Sequence, residues 1–135
     1  MVHDFKLFPE LTNSQMQFYY FDSPHRQIRE DFEGKVVKIT DGDTIHVQWS
    51  EREKPIVVRF SNIAAPELNE IGGEESKNWL EEQIMNEDVR VIINPENRVG
   101  KWGRILGEII HMGININQAS MDWGFSIPFP ERALR

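Results

Sequence analysis

Three strands, a helix, two further strands and a short late helix predict a mainly β protein with helices (α+β). The expected architecture is a five-stranded barrel of the OB type, with one helix inserted after the third strand. Residues 44–49 alternate cleanly: Ile45, Val47 and Trp49 fall on one face, Thr44, His46 and Gln48 on the other, as in a half-buried strand. Residues 56–63 form a second apolar run rich in β-branched side chains. Residues 74–85 then switch to a helical period, with Ser76, Trp79, Leu80, Gln83 and Ile84 on one side.

The remaining elements follow in chain order. Residues 1–32 form a leader dominated by turn residues and aromatics, the barrel domain spans 33–128, and 129–135 is a tail. In the leader, Thr12 and Gln15 suit a capping box that opens a short helix through Met16, Tyr19 and Tyr20. Ser23-Pro24 suits a second helix start, with Ser as cap and Pro in the first turn. Val36, Val37 and Ile39 mark the first strand, and Ile71-Gly72-Gly73 is a break. Residues 89–93 read as a strand closed by the Asn94-Pro95-Glu96-Asn97 turn, and 104–111 as another strand. A helix over 116–123 ends at Gly124, and Pro128 and Pro130 stop regular structure.

Composition bounds the function. A chain of 135 residues suffices for one core, and its apolar fraction of 39% argues against disorder. No run is long enough to cross a bilayer. The opening Met1-Val2-His3-Asp4-Phe5-Lys6 lacks the basic-then-apolar pattern of a signal peptide, so a cytoplasmic or phage-associated location is expected. With no cysteine, disulfides and thiolate zinc sites are excluded. The net charge of -7 is the wrong sign for long-range attraction to nucleic acid. A nucleic-acid ligand would need a local basic cluster or a metal ion.

Three constellations carry candidate chemistry. Asp41-Gly42-Asp43-Thr44 is a favoured hairpin turn, but two carboxylates in one tight turn repel unless a cation or basic group sits between them. Arg59 lies inside an apolar strand, and Glu67 follows Pro66 just beyond it. Taken alone, each reads equally as solvated surface. Lys101-Trp102-Gly103-Arg104 enters a strand from a polar loop and reads alone as a glycine-kinked turn. His25 and His46 carry no assignment.

Together, in this order and spacing, DGDT, R-x7-E around a Pro-Glu pair, and Gly-Arg preceded by an aromatic resemble staphylococcal nuclease and its homologues. The resemblance runs from about Gly34 to Phe125 and includes the Asn117-Gln118-Ala119 helix start. It implies a calcium ion (or another divalent metal) beside the DGDT turn, with Asp43 as direct ligand, Asp41 nearby and the Ala65 backbone carbonyl completing the protein's share. It implies Glu67 as general base, and Arg59 and Arg104 as the arginines that grip phosphate. Trp102 stands where the family usually has tyrosine, suited to stacking on a base or sugar with Lys101 beside it. The implied activity is low-specificity hydrolysis of DNA, RNA or both, and the chemistry suits these residue types. Arginine makes bidentate, permanently charged phosphate contacts, a hard cation neutralises developing charge, and a carboxylate orients or deprotonates water.

The sequence departs from the family at Ala64, where a second metal-binding carboxylate belongs; the expectation is a weakened or altered metal site. The family's long C-terminal helix and the tyrosines after the late helix have no counterpart, though Phe129 lies in that neighbourhood, and a more open pocket is expected. The leader aromatics Phe5, Phe8, Phe18, Tyr19, Tyr20 and Phe21 are expected to pack over the barrel as extra core; the sharper reading is an arm that docks a protein partner. Two other classes stay open. One is a catalytically impaired binding or structural module, for example in a phage assembly. The other is a small OB protein holding a nucleotide or other anion with its two arginines.

Overall fold

The structure is a computed structural model that describes residues 3–100 and 102–129. Its leader contains α1 (Asn13–Tyr19) and a following 3-10 turn, Tyr20–Asp22. The capping box forms as the sequence predicts: the Thr12 hydroxyl accepts from the Gln15 amide, and the Gln15 side chain accepts from the Thr12 amide. Ser23-Pro24 does not start a helix. Ser23 Oγ instead accepts from the His25 amide and from the Gln27 side chain (2.9 Å), and these local bonds displace the helical pattern.

The barrel follows. Strands β1 (Phe32–Asp41), β2 (Thr44–Trp49) and β3 (Ile56–Phe60) form an antiparallel meander. The short β4 (Ile63–Ala64) leads to α2 (Gly73–Ile84), then β5 (Asp88–Ile92) and β6 (Ile105–His111). Strand β5 pairs antiparallel with both β1 and β6. The parallel pairing of β6 with β3 then closes a five-stranded barrel with α2 inserted after the third long strand, as expected. The chain continues through β7 (Ile114–Asn115), α3 (Ile116–Asp122) and β8 (Ile127–Pro128).

Alternation decides which side chains fill the barrel. Ile45 and Val47 of β2, Ile56, Val58 and Phe60 of β3, and Ile105 and Ile109 of β6 point inward. Each such burial is worth about 1.5–3 kcal/mol relative to exposure. Helix α2 adds Ser76, Leu80 and Ile84 to the buried set, whereas Gln83, expected on that face, is exposed. In the leader, aliphatic Leu11 and Ile28 are fully buried, and Ile28 joins the main core. Of the leader aromatics, Phe8, Phe18, Tyr20 and Phe21 stay exposed, so the extra core is mainly aliphatic rather than aromatic. No helix among the described residues is long and apolar enough to cross a membrane.

Two boundaries differ from expectation. The run 56–63 is not one strand, because Asn62 adopts φ 65° and turns the chain between β3 and β4; asparagine tolerates that left-handed conformation. Pro130 lies outside the described residues, and Pro128 closes regular structure as expected, but from inside a strand. It pairs with Ile63 in β8, on a two-stranded sheet where its missing N–H leaves no ladder broken.

Two predictions follow from this framework. A Cβ at Gly73 would overlap the carbonyl oxygen of Glu67, because the loop ahead of α2 folds back onto the helix start. Gly73→Ala is therefore expected to cost about 1–3 kcal/mol in urea unfolding; a loss under a few tenths would refute so tight an approach. His46 lies opposite Lys38 on β1 and hydrogen-bonds Thr40 at 3.3 Å. Burial, with help from the Lys38 charge, holds its pKa below 6.5. The unfolded chain thus takes up this proton first, and the contribution is complete above pH 6.5 and lost as pH falls through the folded value. The difference in unfolding free energy between the wild type and His46→Gln should narrow on acidification from pH 7.5 to 5; a constant difference would show that His46 is not responsible.

Candidate functional site

The Asp41–Thr44 turn joins β1 to β2, with Gly42 and Asp43 at its tip. Asp41 Oδ1 accepts from the Asp43 amide at 3.0 Å, an Asx-type bond that sets the turn. Gly42 is buried against α2 and the chain beyond β4. A Cβ there would overlap Ser76 Oγ and lie 2.8 Å from the Ala65 Cβ, so only glycine lets the turn sit so close. The Asp43 carbonyl accepts from the Phe60 amide at 2.8 Å, pinning the turn to the end of β3.

Asp43 is 7% exposed. Its Oδ1 accepts from the Thr44 hydroxyl at 3.1 Å, and its Oδ2 accepts from the Ala65 amide at 2.9 Å. The same Oδ2 lies 3.3 Å from Arg59 Nη2. Burial pushes the Asp43 carboxyl up to about 6, and the neighbouring Asp41 adds to the rise; the Arg59 charge and the Ala65 amide pull the other way. Arg59 is aimed by backbone: its Nη1 donates to the carbonyls of Phe60 (2.7 Å) and Ile63 (3.0 Å), so the guanidinium spans the Ser61-Asn62 turn. The Phe129 ring centroid lies 5.6 Å from its Cζ, a cation–π contact.

The structure thus brings Asp41, Asp43, Arg59 and Ala65 into one connected group, with Ala65 joined through its amide. Glu67 lies two residues beyond Ala65 and is exposed, its amide bonded to Glu70 Oε1 at 2.8 Å. Arg104 immediately precedes β6. Since Arg59 pairs with Leu106 across the parallel β3–β6 ladder, alternation puts Arg104 on the same outer face as Arg59. Neither Glu67 nor Arg104 forms an ion pair or side-chain hydrogen bond with the Asp43 group among the described residues. Trp102 is exposed on the loop before β6, and Lys101 lies outside the described residues. Among the described residues no three His, Cys, Asp or Glu side chains gather at one point; the acidic donors at the turn are Asp41 and Asp43, and Ala64 contributes no carboxylate.

A cleft of about 340 Å³, lined by Ala64, Ala65, Pro66, Glu70, Phe125 and Ile127 among others, adjoins this group. The larger cavity, about 520 Å³, lies between the leader and the Trp49 end of β2, at the opposite end of that strand from Thr44. Sequence reasoning did not assign Asn117, whose Nδ2 donates to the carbonyls of Ser61 (2.9 Å) and Gly107 and whose Oδ1 accepts from the Ile109 amide. It fixes the turn that Arg59 spans. Its signal was visible only as a helix-start asparagine, which says nothing of burial.

The family model for staphylococcal nuclease homologues matches residues 57–127, a stretch that contains Arg59, Glu67 and Arg104 and begins after the DGDT turn. An uncharacterized endonuclease of Escherichia coli is 36% identical over 89 residues, covering 65% of this chain and 55% of that protein. A micrococcal nuclease of Shigella flexneri is 37% identical over 79 residues, covering 58% of this chain and 42% of its own length. An uncharacterized endonuclease of Haemophilus influenzae is 32% identical over 101 residues, 72% of this chain and 54% of that protein. The chain spans about half the length of the curated relatives it matches. With the barrel, the inserted helix and the matched segment in agreement, this chain belongs to the staphylococcal nuclease homologue family.

Proposed function

We propose that this chain is a metal-dependent nuclease that hydrolyses phosphodiester bonds of DNA, RNA or both with little sequence preference. The observation that carries the reading is the ion pair of buried Asp43 with half-buried Arg59, beside Asp41, in a chain whose relatives include proteins named as nucleases. A carboxylate, a second carboxylate and an oriented guanidinium, set within one hairpin and its neighbouring strand, are what phosphate and a hard cation both require.

The donor set fits calcium or another hard divalent ion. Asp41, Asp43 and the Ala65 carbonyl would hold it, all through oxygen. When bound, the cation neutralises charge on the phosphate oxygens. With Ala64 in place of a carboxylate, affinity is expected to fall toward the weak end for oxygen sites, on the order of 10⁻³ M.

The chain's own residues do the rest. Arg59, aimed by the Phe60 and Ile63 carbonyls, offers permanent positive charge to a non-bridging oxygen, and Arg104 on the same outer face offers a second guanidinium. Glu67, exposed and next in sequence to Pro66 of the cleft lining, is the carboxylate assigned to take a proton from an attacking water. The water oxygen bonds to phosphorus as the ester P–O bond breaks, the water's proton goes to the Glu67 carboxylate, and the leaving oxygen takes a proton from solvent. Trp102, exposed on the loop before β6 and next in sequence to Lys101, supplies a base-stacking surface indifferent to sequence. An open site of this kind favours single-stranded or frayed substrate.

A second reading is favoured by Ala64 and by Phe21, which is 96% exposed. In it, the barrel is a binding or structural module, cytoplasmic or in a phage assembly, that docks a protein partner through residues 1–32.

Cleavage of a labelled single-stranded oligonucleotide separates the two readings. In calcium, magnesium or manganese the wild type is expected to cut, and Arg59→Ala and Arg104→Ala are each expected to lower kcat/KM by about 10²–10³-fold. Glu67→Gln is expected to lower kcat by about 10²–10⁴-fold. No cleavage in any of the three metals sinks the nuclease reading. Ala64→Asp restores a third carboxylate, and the metal concentration for half-maximal cleavage should then fall by about tenfold or more. An unchanged requirement would show that the metal lies elsewhere.

A further inference from the structure

The chain between β5 and β6 is a long loop, residues 93–104, that ends at Trp102, Gly103 and Arg104. Internal bonds shape it: the Gly100 amide donates to the Arg104 carbonyl (2.7 Å), the Gly103 amide to the Gly100 carbonyl (3.0 Å), and the Leu106 amide to the Arg98 carbonyl (2.9 Å). Its side-chain anchors, however, go to the leader at three levels. At the base, Asn13 Nδ2 donates to the Pro95 carbonyl at 3.0 Å. In the middle, Arg98 is 3% exposed; its Nε donates to the Ile28 carbonyl, and its Nη1 to the Leu11 carbonyl (3.0 Å) and Asn13 Oδ1 (3.1 Å). At the tip, the Phe8 side chain lies against Gly103, where an added Cβ would stand 3.0 Å from Phe8 Cδ1.

Burying a guanidinium is costly without partners, and here the partners are leader carbonyls, so leader and loop are joined by necessity. The leader is braced in turn. Glu10 pairs with Arg52 of the turn between β2 and β3, both buried, and the Leu11 amide donates to Gln27 Oε1 at 2.8 Å. The loop tip is therefore referenced to the barrel through the leader as well as through β6.

We propose that residues 3–31 are a brace that sets the position of Arg104, with Phe8 and Arg98 as positioning residues for phosphate binding. This rests on the reading of Arg104 as a phosphate ligand. Phe8 acts through the tip of the loop. At 41% exposed, it can be shortened without opening the core.

The test is a double-mutant cycle on the full chain. Kinetics are measured on a single-stranded oligonucleotide in calcium for the wild type, Phe8→Ala, Arg104→Ala and the double variant. Phe8→Ala is expected to lower kcat/KM by about tenfold in the wild-type background, given the cost of small misplacements. In the Arg104→Ala background it should change kcat/KM by less than about twofold, since its effect passes through Arg104. Phe8→Tyr, which keeps the ring, should restore the rate. Equal losses in both backgrounds would overturn the proposal, because Phe8 would then act on substrate directly or through general stability. Amide hydrogen exchange supplies a readout that needs no activity. In Phe8→Ala the Gly100 and Gly103 amides should exchange faster while the β1–β5 ladder is unchanged, and unaltered exchange at Gly103 would refute the brace. A wild type that cuts nothing in any metal removes the proposed function, and the exchange result still decides whether the brace exists.

Discussion

A carboxylate held almost out of water is the constraint around which this structure is arranged. Asp43 sits at a hairpin tip, where a solvated side chain would be ordinary, yet the turn is pressed into α2 and the Ala65 segment. Such a group must be given donors, and the fold supplies the Thr44 hydroxyl, the Ala65 amide and the Arg59 guanidinium. Each donor belongs to a different stretch of chain, so satisfying one side chain positions three of them. Arg59 is drawn in likewise, bridging the Phe60 and Ile63 carbonyls across a turn that Asn117 fixes from α3. Burial raises the Asp43 pKa, and the neighbouring Asp41 adds to the rise. On the proposed function, a bound cation and phosphate would take over these contacts.

Much of this was legible in the sequence because it follows from local rules. The alternation at Ile45, Val47 and Trp49, the capping box at Thr12 and the helical face of Ser76, Leu80 and Ile84 are short-range patterns, and each appears where the spacing puts it. The DGDT turn and the Arg59 strand were likewise identifiable by residue. The illegible parts depend on distant chain. Nothing in the sequence singles out Arg98, and its burial exists only because the Leu11 and Ile28 carbonyls close over it. Asn62 interrupts what composition presents as one strand. Ser23-Pro24 carries helix-start chemistry, but its hydroxyl is taken by Gln27, and the helix does not form. The pairing of Ile63 with Pro128 is too short to have a period at all.

The leader shows how composition misdirects. Its aromatics suggested a hydrophobic blanket, yet the side chains that enter the core are Leu11 and Ile28, while Phe21 lies almost wholly in solvent. What ties the leader down is polar: Gln27, Glu10 with Arg52, and the carbonyls that receive Arg98. A polar seam of this kind gives less raw stability than an apolar one, but it fixes direction, because hydrogen bonds have geometry and apolar contacts have little.

The parallel β3–β6 pairing has a consequence for how the molecule comes into being. The β1–β2–β3 meander can zip through contacts close in sequence, but the closing ladder joins Val58 to Ile105 and must wait for the intervening helix and β5 to be in place. Arg59 and Arg104 come onto one outer face only when that ladder forms, a pairing of segments far apart in sequence and entropically expensive to bring together. If the two arginines serve phosphate as proposed, a chain whose closing ladder has not formed holds the acidic turn and one arginine without the other. On that reading closure is a safety catch, since the two guanidiniums come to share one surface only once the barrel has shut.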